Sequence, residues 1–195
     1  MVSRVSSGSR HEGLTPTFLL TIVRTTTIIQ GMERRLRTEI QQSKPFPSLE
    51  EEVHVEILLT AQVANRVLAS ALKPTGLSPS QFNILRILRG ARPAALPSGR
   101  IAERMVTHDP DLTRLLDRLE ANGLVEKARD AKDRRVVNVR ITKAGVERIE
   151  GASKAVTQAV RSALAPVGAR KLEQLADLLE LARAAVREHS EEVSR

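Results

Sequence analysis

Arg114 and Arg118 stand about one helical turn apart, and Arg134 and Arg135 are adjacent in a polar loop downstream of them. A guanidinium presents five donors in a planar fork, which matches guanine O6 and N7 or a phosphate, and it keeps its charge at any ordinary pH. Thr113 adds a methyl and a hydroxyl at the start of the same run, and Asp111 adds an acceptor. Along DLTRLLDRLEANGLV, Leu112, Leu115, Leu116 and Leu119 fall on one side of a helix. Thr113, Arg114, Asp117, Arg118 and Asn122 are then left on its other faces. Arg129, Lys132, Asp133, Arg134 and Arg135 extend the polar surface into the loop. These residue types suit contact with base edges and phosphates, with Asp111, Thr113, Arg114 and Arg118 as the helix candidates. The plain alternative is a solvated helix, in which Arg114 pairs with Asp117, and Arg118 with Asp117 or Asn122.

Side chains that read DNA need a frame. SGRIAERM, the turn VTHDP, the leucine-rich helix and the two β-branched runs LVEKAR and VVNVRI read as helix, turn, helix, strand, loop, strand over Ser98–Thr142. The first of these helices carries Ile101, Ala102 and Met105. The second starts near Pro110-Asp111 and ends at Asn122-Gly123, a C-cap pattern. Asp130 and Asp133 sit awkwardly beside a polyanion and are expected to hold Arg129 or Arg135 in pose. Upstream, Ser48-Leu49-Glu50-Glu51 and Ser78-Pro79-Ser80-Gln81 are capping boxes that open two further helices. Arg92–Pro97 reads as a Pro/Ala linker. Two more helices, Lys143–Ala165 and Ala169–His189, are separated by Pro166 and Gly168.

Charge distribution favours the same surface. Of the net charge of +8, residues 86–148 carry +6, residues 46–85 carry −2 and residues 149–195 are balanced. A basic stretch of this kind is an electrostatic footprint for a polyanion. The chain has three Phe and neither Trp nor Tyr, so it lacks the stacking platforms on which single strands are gripped. Double-stranded DNA is the expected partner. The absence of cysteine excludes disulfides, thiolate metal sites and cysteine-based redox sensing. His11, His54, His108 and His189 are isolated, and no glycine-rich phosphate loop or triad pattern occurs. No enzyme activity, metal or cofactor is expected.

Residues 1–45 differ from the rest: a Ser- and Arg-rich start, then LTPTFLLTIVRTTTIIQG. Arg24 and the many threonines in that apolar run argue against a membrane span. We read 1–45 as a disordered or mis-started extension, with Met32 as a possible true start, and the protein as cytoplasmic with no membrane partner.

Taken in order, LSPSQFNILRIL, LPSGRIAERM and DLTRLLDRLEANGLVEKARDAKDRRVVNVRITKAG resemble the MarR family of bacterial transcription regulators. The D-x-R of the family's wing falls on Asp133 and Arg135. The resemblance implies a mainly α fold: a winged helix-turn-helix with a small antiparallel β-wing, flanked by N- and C-terminal dimerisation helices. Within a domain at 48–190, the DNA-binding lobe would occupy 77–145, and 48–76 with 146–190 would dimerise. Apolar stripes support a partner for the flanking helices, notably Leu164, Leu172, Leu175, Leu178, Leu179, Leu181 and Val186. The resemblance further implies a homodimeric, ligand-responsive repressor on a palindromic operator. A small-molecule effector would sit between the dimer helices and the lobe, where His54, Gln62 and Phe82 are candidates. The competing readings are a winged-helix protein-interaction module and a non-specific architectural DNA binder.

Overall fold

The computed structural model describes residues 36–106 and 111–193, which form two compact units divided between Ala61 and Gln62. Of the 1–45 extension, residues 1–35 lie outside the described residues, as does Pro110; residues 36–39 form a helical turn with Leu36 buried, which corrects the reading of that part as disordered. Helix α1 (Leu49–Leu72) crosses that division, its residues 62–72 belonging to the second unit; it begins in the first unit after Ser48, whose hydroxyl accepts from the Glu51 amide at 3.3 Å. Glu50 has its carboxyl held below the ordinary range, by its own backbone N–H and by the Ser48 hydroxyl. Three successive glutamates fill the first turn, where the exposed amides favour negative charge.

The second unit is built on α2 (Pro79–Gly90), α3 (Ser98–Arg104), α4 (Leu112–Ala121), α5 (Lys143–Leu164) and α6 (Ala169–Val193). Helix α2 opens on a complete capping box. Ser78 Oγ accepts from the Gln81 amide at 3.2 Å, and Gln81 Oε1 accepts from the Ser78 amide at 3.0 Å. Three strands form one antiparallel sheet in the order β1 (Leu96–Pro97), β3 (Val137–Ile141), β2 (Val125–Arg129). The first strand corrects the linker reading of Arg92–Pro97: Leu96 pairs with Val139 and Pro97 with Asn138. Proline is tolerated there because β1 is an edge strand.

The core is one cluster, in which Leu72, Ile84, Leu85, Ile101, Leu119, Val139 and Ile149 are almost wholly enclosed. Its α4 contribution is Leu116 and Leu119, with Leu112 and Leu115 half-buried, as the leucine spacing requires. Helix α3 buries Ile101, leaves Ala102 exposed, and is followed by half-buried Met105. On β3, Val139 and Ile141 are buried and Arg140 between them is exposed, the alternation of a half-covered sheet.

One close approach fixes the base of the hairpin. The Thr142 hydroxyl donates to the Gly123 carbonyl at 2.7 Å and accepts from the Gly145 amide at 3.0 Å. The Thr142 amide donates to the Leu124 carbonyl at 3.1 Å. A side chain at Gly145 would place its Cβ 2.1 Å from that same carbonyl oxygen.

Helix α6 buries no residue, and Leu178, Leu181 and Val186 on it are more than 60% exposed. Apolar side chains are also exposed on α1, at Leu49, Val53, Ile57 and Leu58, and on α5, at Val160 and Leu164.

Candidate nucleic-acid interface

At about 100° per residue, the buried stripe of α4 sets the direction of everything else on it. Opposite Leu112, Leu116 and Leu119 lie Ala121 and Arg114, with Asp117 and Arg118 displaced about equally to either side and Thr113 and Glu120 further round on the Asp117 flank. The Arg114 guanidinium meets Asp111 at 3.3 Å, and both are well exposed, 77% and 50%. Arg118 is exposed and makes no ion pair among the described residues. The solvated-helix pairing of Arg114 and Arg118 with Asp117 is therefore not formed. Asp117 is instead taken by Lys127 of β2, which also reaches Glu120 Oε2 at 2.9 Å. Thr113 is exposed on the first turn.

Lys127 does not stand out in the sequence, although a signal for it exists there. It pairs with Val139 across the hairpin, and opposed residues share a face. A lysine on the face that carries Val139 needs a counter-charge, and α4 supplies two. Its side chain is only 21% exposed, and its pKa is raised, first by the hydrogen bond to Asp117 and then by that to Glu120.

The loop between β2 and β3 holds its shape through aspartates, but not as expected. Asp130 Oδ1 accepts from the amides of Lys132 at 2.9 Å and Asp133 at 3.2 Å, and Asp130 Oδ2 accepts from Asn138 Nδ2 at 2.9 Å. Asp133 Oδ1 accepts from the Arg135 amide at 2.9 Å. Both carboxylates thus bind backbone amides, and Asp130 also Asn138, instead of holding the guanidinium of Arg129 or Arg135. Arg129 donates to the Arg134 carbonyl at 3.3 Å. The correction has a physical basis: short aspartate side chains close local turns more readily than they reach a guanidinium. Among the described residues, no ion pair engages Lys132, Arg134 or Arg135, and all three are exposed.

The Asp130 pKa is lowered, chiefly by the Lys132 amide, then by the Asp133 amide and Asn138. Its charged form is therefore the one that orders the loop. That contribution is complete above the unfolded carboxyl pKa and is lost as pH falls through the lower folded value, below about pH 4. We expect the Lys132 and Asp133 amide resonances to shift together during acid titration, with Asp130→Ala showing the loosened positions at neutral pH. Amide shifts that stay pH-independent down to global unfolding would contradict this.

A crevice of about 500 Å³ lies beside the helix-turn-helix. Ala64, Asn65 and Leu68 of α1, Phe82, Asn83 and Arg86 of α2, Met105 and Val106 after α3, and Val156 and Val160 of α5 line it. Of the effector candidates, Phe82 is on this wall and also in the core. His54 and Gln62 are exposed on α1 and are not among its lining residues.

A helix-turn-helix whose second helix carries exposed arginines, followed by a two-stranded basic hairpin, defines a winged-helix DNA-binding module. The MarR family model matches residues 77–137. The HTH-type transcriptional regulator YdgJ of Bacillus subtilis is 31% identical over 125 residues, 64% of this chain and 75% of that protein. The homoprotocatechuate degradative operon repressor of Escherichia coli is 29% identical, over 65% of this chain and 84% of that protein. A cysteine-to-serine mutant of MarR from Escherichia coli, crystallised with operator DNA, superposes with a TM-score of 0.60 at 26% identity, over 69% of this chain and 98% of that one. The chain belongs to the MarR family of transcription regulators, whose members bind DNA and are not enzymes.

Proposed function

We propose that the protein is a sequence-specific repressor that binds double-stranded DNA as a homodimer and releases it when a small molecule fills the crevice. The observation that carries the reading is a set of exposed cations that make no ion pair among the described residues: Arg118 on α4 and Lys132, Arg134 and Arg135 on the wing. Helix α4 enters the major groove, where Thr113, Arg114 and Arg118 face base edges or the phosphate wall and Asp111 orients Arg114. The wing places Arg129, Lys132, Arg134 and Arg135 along the backbone and minor groove, with Asp133 shaping the turn that presents them.

Repression is supported by the similarity to the Escherichia coli operon repressor. A dimer is supported by the exposed apolar faces of α1, α5 and α6, which water would otherwise cover. Leu49–Thr75 is long and apolar enough by composition to cross a membrane. Leu72, however, is fully buried in the protein core and Leu68 packs on that core, so this end of the helix is committed to the lobe. Cover by a second copy is the better use of the rest. Two copies related by a two-fold axis then require an operator of pseudo-palindromic half-sites about one helical turn apart. The crevice supports ligand response because Met105 and Val106 belong to the path between α3 and α4, while Val156 and Val160 belong to a long helix with exposed apolar positions.

Titration against a duplex from the region upstream of its own gene, and against a scrambled duplex, tests the reading. Strong preference for the first, at a stoichiometry of two chains per site, is expected. Arg135→Ala should weaken binding and lower the slope of log K against log salt by about 0.9 for each phosphate that is no longer neutralised. Equal affinity for the two duplexes would leave a non-specific architectural binder, and binding to neither would leave a protein-interaction module.

A further inference from the structure

From the bracket that Lys127 makes around Asp117 and Glu120, we infer that this lysine is a positioning and charge-masking residue for operator binding. The inference rests on the assignment of α4 as the groove-facing helix. Asp117 and Glu120 are 54% and 41% exposed on the flank of α4 that borders the hairpin. Left alone, two carboxylates there would meet a duplex whose phosphates carry the same sign, and like charge across an interface is strongly unfavourable. Lys127 contacts both at once through Nζ, and its backbone amide donates to Glu120 Oε1 at 3.0 Å. The amide contact holds Glu120 toward β2, and the ammonium offsets one of the two negative charges where both oxygens converge. The lysine is mostly enclosed by this arrangement, so it is not itself a phosphate contact. It acts through α4, by leaving the arginine side of that helix as the face that DNA meets.

Pure tethering and charge masking give different results. With masking, Lys127→Met lowers affinity for the upstream duplex roughly tenfold or more at low salt, and the deficit shrinks as salt screens the exposed carboxylates. Adding Asp117→Asn and Glu120→Gln to Lys127→Met then restores most of the affinity. The double variant Asp117→Asn/Glu120→Gln, with Lys127 retained, binds at least as tightly as wild type, which keeps the test usable if Lys127→Met folds poorly. Unchanged binding by Lys127→Met, a deficit that salt does not alter, failure of the triple variant to recover, or weakened binding by the double variant each overturns the inference. Wild-type protein is titrated against the scrambled duplex in parallel. If it prefers the upstream duplex while Lys127→Met matches it, only this inference fails; if it shows no preference, the assignment of α4 fails first.

Discussion

Gly145→Ala is expected to lower stability by about 1–3 kcal/mol, the usual cost of overpacking, and by more if the backbone cannot shift. Replacing a helical glycine with alanine ordinarily helps by up to about 1 kcal/mol, so the sign depends on the neighbours. Here the added carbon would lie 2.1 Å from the Leu124 carbonyl oxygen and 2.7 Å from Ile141 Cγ1. The oxygen belongs to backbone, so no rotamer change relieves the overlap. It also accepts from the Thr142 amide, and moving it strains that hydrogen bond. The clash outweighs the propensity gain. For a chain of this size each kcal/mol shifts Tm by roughly 2–4 °C, so calorimetry should show a drop of several degrees. Gly151→Ala, also on α5 but with nothing within 4 Å of its added Cβ, is the control and should raise Tm slightly. Equal shifts in the two variants would show that the junction at Gly145 tolerates a side chain.

Arg114→Ala is expected to cost about 1–3 kcal/mol of operator affinity for each half-site and to relax base preference. In the proposed dimer, two half-sites would roughly double the loss. The substitution should leave folding nearly untouched, because an exposed pair such as Arg114–Asp111 contributes only about 0–1 kcal/mol. Separating the two effects is therefore direct. Unfolding by denaturant should match wild type within error, while the ratio of affinities for upstream and scrambled duplexes collapses. A variant that kept the wild-type ratio would remove Arg114 from the reading surface and leave Thr113 and Arg118 as the base-contact candidates on α4.

The helical frame is legible from sequence because its signals are local and redundant. Ser78 with Gln81 announces α2, the leucine spacing announces α4, and alternation announces β2 and β3. Features that depend on distant partners are not legible in this way. Strand β1 consists of Leu96 and Pro97, too short for periodicity and containing the residue that ordinarily argues against a strand. It exists because β3 offers Val139 and Asn138 as an edge to pair with. The aspartates of the wing read correctly as internal partners, but for the wrong groups, since sequence does not reveal which amides a turn will present. Lys127 escapes notice for a related reason. Its role emerges only once the pleat places it beside α4, ten residues from Asp117.

Thr142 joins the end of α4, the end of the hairpin and the start of α5 within one side chain and one amide. Three hydrogen bonds therefore tie the start of α5 to the residues just after α4, so a shift of α5 has a direct covalent and hydrogen-bonded route to the C-terminal end of α4. On the proposed reading, a ligand at Val156 and Val160 of the crevice would touch the same helix that this junction fastens to the hairpin.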